Sequence, residues 1–283
     1  MPVAVSAPFD DAKPAAPPSE KLISSLETTP QNIDFIRKII LLSEDRAFCA
    51  RRSASIDPLI FGIPVIDAHL GGGLSPRALH EFAARPGDSE HLACTTRLLV
   101  TLLAINRHLH GPVLWACSRA DLYPPGLAIA GFDPARLIVA ETADAHIPAV
   151  MEEALRHRGL AAVIGETRRN PGLTLSRRLH LAAQAAGRPA LLLRRFGTDD
   201  TPSAAATRWR IGPAVSPPPS DRLAALWLDP PRLHLDLIRC RGGMPASWTL
   251  TCHDDIPHPF SVAAPLADRP PAPRPATQFR RLA

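Results

Sequence analysis

Short apolar runs alternate with longer amphipathic segments through the middle of the chain. Residues 113–117, 160–164 and 190–193 are nearly continuous apolar runs, which is typical of strands buried on both faces. Residues 92–109 and 173–186 instead repeat apolar positions at helical spacing. Further strands are predicted at 78–83 and 137–140, and further helices at 125–130 and 148–157. This alternation predicts a mostly parallel sheet flanked by helices.

The pattern changes toward the C-terminal end. Residues 207–211, 232–240 and 247–252 are predicted strands, and the middle one alternates apolar and polar side chains. The pair Gly242-Gly243 between the last two strands is a hairpin signal. The chain is therefore predicted to be an α/β protein with antiparallel strands at the C-terminal edge of its sheet.

Composition divides the chain into a folded centre and two proline-rich ends. Of its 283 residues, 46% are hydrophobic and 21% are charged, which fits a soluble globular protein. Many of the 32 prolines lie near the two ends. We predict a disordered tail over residues 1–30, an N-terminal helix over 31–55, the α/β domain over 56–255 and a proline-rich C-terminal tail over 256–283.

Net charge and cysteine content indicate only a little about the partners and the cellular compartment of the protein. The net charge of +5 is compatible with nucleic-acid binding but does not require it. The sequence has no signal-peptide pattern and no apolar run of about 18 residues, so we expect a cytoplasmic protein without a membrane segment. The five cysteines include no CxxC pair. We expect reduced thiols and no metal site, although Cys252 and His253 lie near His258.

A glycine-rich turn precedes the place where a phosphate loop would lie. The run GIPVIDAHLGGGLSPRALHEFAA resembles the segment that leads into the loop of RecA-type ATPases: a short strand containing an Asp at 63–70, the turn, and a second strand. The loop GxxxxGK[ST] needs glycine amides and a lysine for the phosphates, and a hydroxyl for magnesium. The residues here are Arg85, Pro86, Gly87, Asp88, Ser89, Glu90 and His91. The lysine is absent, and none follows Lys38, so we expect no bound cofactor.

Two other positions that ATP hydrolysis needs are also altered. The strand LAAVIGET at 160–167 ends near Glu166, where these ATPases carry an Asp that assists magnesium. The segment WACSRADLYPP at 115–125 offers Ser118 and Arg119 where a general-base Glu is expected. Because phosphoryl transfer depends on these groups acting together, we expect the chain not to be an enzyme.

As a set, these motifs resemble the ImuA family. The resemblance rests on the eroded loop, GGLxxxALHE, WACSRADLYPP, VIGE and LDLIRCRGG with a later Trp; it covers residues 31–255 and extends to the final TQFRRLA. It implies a RecA-like core and a non-catalytic accessory role in the SOS response to DNA damage, in error-prone translesion synthesis. It implies as partners an ImuB-like Y-family adaptor and, through the mutasome, an error-prone C-family polymerase subunit, joined through the C-terminal part of the chain.

Arginine pairs lie at positions that correspond to the DNA-binding loops of RecA. The candidates for nucleic-acid contact are Arg168, Arg169, Arg194, Arg195, Arg208 and Arg210. Guanidinium groups suit phosphate contacts, which makes single-stranded DNA a candidate ligand. Two other interpretations stay open, in which these arginines form salt bridges or a solvated rim. Asp199 and Asp200 weaken the positive field between the pairs.

The last residues form a candidate docking peptide. Phe279, Arg280, Arg281 and Leu282 follow a proline-rich spacer, and the two apolar members can share one helical face. The alternative is a terminus without a role. RecA is a further candidate partner, contacted through residues 31–50 if that helix copies the contact between RecA subunits.

Two other functional classes remain open. A working RecA-type ATPase would need Arg85 or Arg97 in place of the lysine, and a planar guanidinium fits such a loop poorly. A division inhibitor of the SulA kind has a related fold that also lacks the phosphate loop, but such proteins are shorter. Nucleotide binding would favour the first class, and cell filamentation on overexpression would favour the second.

Overall fold

The protein is seen in a computed structural model that describes residues 57–84, 89–168, 170–195, 201–215, 230–253 and 259–263. The predicted tail 1–30 and helix 31–55 lie outside the described residues. The strands are β1 (Leu79–Ala84), β2 (Val113–Cys117), β3 (Leu137–Glu141), β4 (Ala162–Thr167), β5 (Ala190–Arg194), β6 (Thr207–Ala214), β7 (Arg232–Cys240), β8 (Ala246–Cys252) and β9 (Phe260–Val262). The helices are α1 (Pro64–His69), α2 (Ser89–Ile105), α3 (Pro124–Ile129), α4 (Ile147–Arg156) and α5 (Gly172–Ala186), with short 3-10 turns at Pro134–Arg136 and Asp144–His146.

The strands form one sheet in the order β3-β2-β4-β5-β1-β6-β7-β8-β9. Strands β1 to β6 pair in parallel, and β7, β8 and β9 are added antiparallel at the β6 edge. The hairpin between β7 and β8 turns at Gly242, whose φ of 81° favours glycine. The predicted fold class is confirmed. In the parallel part, the carboxyl ends of β1, β5 and β4 share one edge of the sheet.

Apolar side chains form a separate core on each face of the sheet. On one face, helix α2 packs over β1 and β6, around Phe82, Trp115 and Trp209. On the other face, α4 and α5 lie side by side over β1, β2, β4 and β5, around Leu79 and Leu179. Strands β1, β2, β4 and β5 are buried along their whole length, as continuous apolar runs in a parallel sheet predict.

The segment 63–70 is a helix, so the short strand predicted there is wrong. Pro64 occupies the first turn of α1, where its missing N–H costs no hydrogen bond. The Asp67 carboxylate accepts the backbone N–H groups of Phe61 and Ile63, at 2.7 and 3.1 Å. These bonds fix the backbone just before the helix. They also use N–H groups that, in a β-strand, would donate to a neighbouring strand.

Helix α2 ends at Ile105, earlier than the apolar pattern predicts. Asn106, which is buried, ends the helix because its side-chain amide donates to the carbonyl oxygens of Leu102 and Ile60, at 2.7 and 2.9 Å. Its Oδ1 also accepts the Ile60 N–H at 2.9 Å. One side chain therefore joins the end of α2 to the segment that precedes α1.

The sheet extends beyond residue 255, where the C-terminal tail was predicted to follow the domain. Strand β9 pairs with β8, and Phe260 is 5% exposed within the core on the α2 side. Pro259 directly before it is tolerated because β9 is an edge strand with one side free of ladder bonds. The domain boundary predicted at 255 is therefore too early.

Candidate functional site

The position of the predicted phosphate loop is defined by the elements on either side of it. Strand β1 ends at Ala84, and α2 begins at Ser89. A strand, a short loop and a helix in this order are the setting of a phosphate loop. Residues Arg85, Pro86, Gly87 and Asp88, and the side chains of Ser89, Glu90 and His91, lie outside what the structure describes. Their lost cofactor-binding role stays a prediction.

Glu166 lies at the carboxyl end of β4, separated from β1 by β5. It is 3% exposed, and both carboxylate oxygens have protein donors. Oε2 accepts the indole N–H of Trp115 at 3.1 Å, and Oε1 accepts the Nε–H of Arg195. A carboxylate that assists magnesium in an ATPase faces the ion or its waters. This pairing therefore does not fit a magnesium-assisting group.

Arg195 joins two carboxylates that come from different parts of the chain. Besides Glu166, its Nη2 donates to Oδ1 and Oδ2 of Asp121, at 2.9 and 2.8 Å. Asp121 lies between β2 and α3, whereas Arg195 directly follows β5. Burial acts to lower the pKa of Arg195, but the hydrogen bonds to Asp121 and Glu166 outweigh it and the pKa is raised. The guanidinium therefore stays charged and neutralises the two carboxylates that it contacts, Glu166 and Asp121.

The thiol of Cys117 sits beside this group at the end of β2. Burial raises the pKa of Cys117 to about 12, and the nearby charge of Glu166 acts in the same direction. The thiol is therefore neutral at physiological pH and is not an activated nucleophile. Ser118 and Arg119 follow it, so the strand end carries no carboxylate at the position predicted for a general base.

A second buried carboxylate, Glu81 on β1, faces the opposite side of the sheet. Glu81 and Arg194 are each 1% exposed, and Arg208 is 7% exposed. Oε2 of Glu81 lies 3.0 Å from Nε of Arg208 and 3.8 Å from Nη1 of Arg194, and Oε1 accepts the hydroxyl of Ser203. Burial lowers the pKa of Arg194, and the charge of Glu81 opposes that effect.

The segment 201–206 covers this cluster from the α5 side. Arg208 donates through Nη1 to the carbonyl of Thr201 at 3.1 Å, and Arg239 donates to the carbonyl of Ser203 at 2.8 Å. The backbone N–H of Ala204 donates to the hydroxyl of Ser176 on α5 at 3.0 Å. The Glu81 carboxylate is thereby enclosed between the sheet, the segment and the helix.

These placements correct part of the predicted nucleic-acid surface. Arg194 and Arg208 are buried charge partners of Glu81, and a phosphate could reach them only if the cluster opened. Arg195 is bound to Glu166 and Asp121. For these three arginines the structure has salt bridges, which the sequence left open as an alternative to DNA contact.

The other three candidates differ from one another. Arg168 is exposed just after β4, and its backbone N–H donates to Asp144 Oδ1 at 2.7 Å. Arg210 is half-buried on β6, in register with Asp236 of β7. Arg169 and the docking candidates Phe279, Arg280, Arg281 and Leu282 lie outside the described residues. Within the described part, Arg168 is the candidate with the most open position.

Neither a metal centre nor a membrane segment is found in the part of the chain that the structure describes. In that part, no three His, Cys, Asp or Glu side chains lie close enough together to hold an ion. Cys252 is buried, and His253 hydrogen-bonds with the hydroxyl of Ser261 at 2.7 Å. None of the described helices is both long and apolar enough to cross a membrane.

Two acids that pair with the candidate arginines were not predicted from the sequence. Glu81 interrupts the buried run of β1, and Asp121 lies in the segment taken for the general-base position. An ion pair at Glu81 was predictable from the sequence, because a carboxylate within a strand buried on both faces needs a buried cation as its partner. For Asp121 no such prediction was possible, since its side chain is 41% exposed and its partner is remote in sequence.

Strand order, antiparallel edge and helix layers together define a RecA-like α/β protein. The fold is similar to the crystal structure of the RadB recombinase, with a TM-score of 0.52 and 14% sequence identity, covering 71% of this chain and 98% of that one. No protein-family model matches the chain.

Sequence similarity identifies a narrower group within that class. The chain is 38% identical over 224 residues to the protein ImuA of two strains of Caulobacter vibrioides, covering 74% of this chain and 90% of each relative. The chain belongs to the ImuA family, which confirms the resemblance found in the sequence motifs.

Proposed function

We propose that this RecA-like ImuA-family chain is a non-catalytic accessory protein in SOS-induced, error-prone translesion synthesis. One observation carries the non-catalytic part: Glu166, at the position of the magnesium-assisting acid, is bound by Arg195 and Trp115. Family membership and the mutasome role that the sequence motifs imply support the accessory part.

Charge supports the same conclusion. In a RecA-type ATPase a lysine, magnesium and an acidic strand end share the charge of the triphosphate. In this chain the lysine is missing from the sequence and the strand-end acid is neutralised by an arginine of the protein itself. Magnesium at Glu166 would have to displace the hydrogen bonds that its carboxylate accepts from Arg195 and Trp115.

The first test is nucleotide binding and hydrolysis by the full chain. Isothermal titration with Mg-ATP up to several millimolar should show no saturation, that is, affinity weaker than roughly 1 mM, or about 4 kcal/mol. Arg195→Met frees Glu166 without restoring the lysine, so it should not create binding. Saturable Mg-ATP binding with phosphate release by the wild type, both abolished by Arg85→Ala or Arg97→Ala, would establish the ATPase alternative instead.

The second test is genetic. In cells that lack this gene, ultraviolet-induced mutation frequency should fall sharply while homologous recombination continues. Arg85→Ala with Arg97→Ala supplied on a plasmid should restore mutagenesis if the chain acts without catalysis, because an ATPase would need one of these arginines in place of the lysine. Loss of recombination would contradict the accessory role, and filamentation on overexpression would favour the division-inhibitor class.

Partner contacts are proposed from the sequence. The ImuB-like adaptor is the expected direct partner, through Phe279 and Leu282 of the terminal peptide, and the C-family polymerase joins through the mutasome. Phe279→Ala with Leu282→Ala should abolish co-purification with the adaptor, while Arg280→Ala should weaken it less. RecA is a further candidate partner, through residues 31–50, and deletion of 31–50 tests that contact by pull-down. Single-stranded DNA is another candidate, through Arg168, and Arg168→Glu tests that contact by fluorescence anisotropy.

A further inference from the structure

A groove of about 570 Å³ runs between α4 and α5, on the face of the sheet that carries the Glu81 cluster. Helix α4 precedes β4 and helix α5 precedes β5. The groove lies at the C-terminal ends of the two helices, and therefore near the N-terminal ends of the two strands. Glu166 and Arg195 lie at the opposite, carboxyl end. The groove is therefore distinct from the site already described. Its apolar lining consists of Leu155, Leu181, Ala182, Ala185 and Ala186.

The rim of the groove is strongly basic. Arg156, Arg158, Arg178 and Arg188 line it together with one acid, Glu152. Arg156 and Arg178 both contact Glu152, at 3.2 and 2.6 Å, and their side chains remain 64% and 57% exposed. Arg158 is exposed and has no ion-pair partner among the described residues. The lining thus carries four arginines and one acid, and Arg156 also pairs with Glu153 outside the lining, at 2.9 Å.

Arg188 gives the groove a fixed shape. Its guanidinium donates to the carbonyl oxygens of His157 and Arg158, just after α4 ends, although Arg188 itself follows α5. The two helices are thereby held together at their C-terminal ends. A preformed groove loses less conformational entropy on binding than one that must open.

We infer that this groove binds an amphipathic, acidic helix of a partner protein. The small side chains of Ala182, Ala185 and Ala186 allow another helix to approach closely, and Leu181, 53% exposed on α5, offers an apolar contact. Carboxylates flanking the apolar face of such a helix meet the guanidinium groups of the rim. This inference rests on the groove alone and does not depend on the proposed role in translesion synthesis.

The lining favours a protein helix over single-stranded DNA. None of the lining side chains is aromatic, so bases find no stacking platform. The apolar floor of the groove would remain uncovered under a sugar–phosphate chain. An acidic helix avoids both problems because its apolar face covers the floor while its charged flanks reach the rim.

A displayed library of helical peptides tests the inference on the full chain. We expect selection to enrich peptides with apolar residues at i, i+3, i+4 and i+7 flanked by Asp and Glu. For a selected peptide, fluorescence anisotropy should give a Kd that rises about tenfold or more with Leu181→Asp, and about as much with Arg158→Glu. The Kd should also rise with salt, because the rim charges are exposed.

Two matched variants control for these changes. Leu173→Asp alters a leucine of α5 that is also 53% exposed but does not line the groove. Arg177→Glu makes the same charge reversal next to Arg178, again outside the lining. Both should leave the Kd within about twofold. Circular dichroism and urea unfolding confirm that each variant is folded.

Three results would overturn the inference. The first is no enrichment, or equal enrichment of neutral and basic peptides. The second is a selected peptide whose Kd is the same for Leu181→Asp and for Leu173→Asp. The third is an oligo-dT that binds in place of the peptide and is weakened by Arg158→Glu but not by Leu181→Asp, which would make the rim a phosphate-binding surface.

Discussion

Glu81→Gln is the sharpest perturbation of the buried charge cluster. It removes one negative charge and keeps the size and shape of the side chain. Arg194 and Arg208 then remain in the interior, 1% and 7% exposed, with no carboxylate between them. The new amide also offers donors toward guanidinium groups that are donors themselves. The variant therefore takes away the buried carboxylate that both guanidinium groups contact.

The structure indicates how large the effect should be. Breaking a buried ion pair by removing one partner costs about 3–5 kcal/mol, whereas an exposed pair contributes about 0–1 kcal/mol. Domains are stable by only about 5–15 kcal/mol, so the loss is a large share of the total. Glu152→Gln is the matched control, because the arginine partners of Glu152 are more than half exposed.

Urea unfolding followed by tryptophan fluorescence measures both variants, since Trp115 and Trp209 are buried in the core. The free energy of unfolding should fall by about 3–5 kcal/mol for Glu81→Gln and by less than about 1 kcal/mol for Glu152→Gln. Replacing Glu81, Arg194 and Arg208 together by Met should recover most of the loss. Equal losses for the two single variants would refute the assignment of Glu81 as a buried charge centre.

Three further predictions follow from other buried groups. Burial lowers the pKa of His80 to about 4. The neutral imidazole therefore adds up to about 3 kcal/mol to the free energy of unfolding above about pH 6.5, and this contribution is lost as pH falls through 4. His80→Gln should make stability decline less steeply with falling pH in acid-unfolding curves. Cys117, with its pKa raised to about 12, should resist a disulfide reagent at about pH 8 until the protein unfolds, whereas the half-buried Cys94 and Cys240 should react in the folded protein; mass spectrometry distinguishes them. Gly165→Ala places a Cβ against the sulfur of the buried Met151, so it should cost about 1–3 kcal/mol in a urea titration, and less than that in a Met151→Ala background.

Much of the sheet was predictable because strands buried on both faces leave continuous apolar runs. The predicted bounds of β2 and β7 agree with the structure, and those of β5 and β8 differ by one residue. The errors lie where one polar side chain overrides the pattern. Asn106 ends α2 by bonding a distant segment, and Asp67 makes a helix of a segment that the resemblance indicated as a strand. Such bonds depend on tertiary placement, which a periodic pattern does not contain.

The charged residues of the site show a different limit. The sequence places Arg208 far from Glu81, and only the parallel register of β1 with β6 sets them side by side. Register follows from how whole strands pack, so it could not be read from either residue. The groove between α4 and α5 was missed for a related reason: Arg177 and Arg178 are adjacent in sequence, but only Arg178 lines the groove.

Adjacent arginines at the end of β5 point to opposite faces of the sheet, because side chains alternate along a strand. Arg194 therefore meets Glu81 beneath α5, and Arg195 meets Glu166 on the face that carries Trp115. One strand end thus supplies the cations for both buried carboxylates of its two neighbours, β1 and β4. Since these guanidinium groups already have carboxylate partners, a phosphate would have to compete with an intramolecular charge to bind them. Of the predicted nucleic-acid candidates in the described part of this edge, Arg168 is therefore the one whose exposed position leaves it open to DNA.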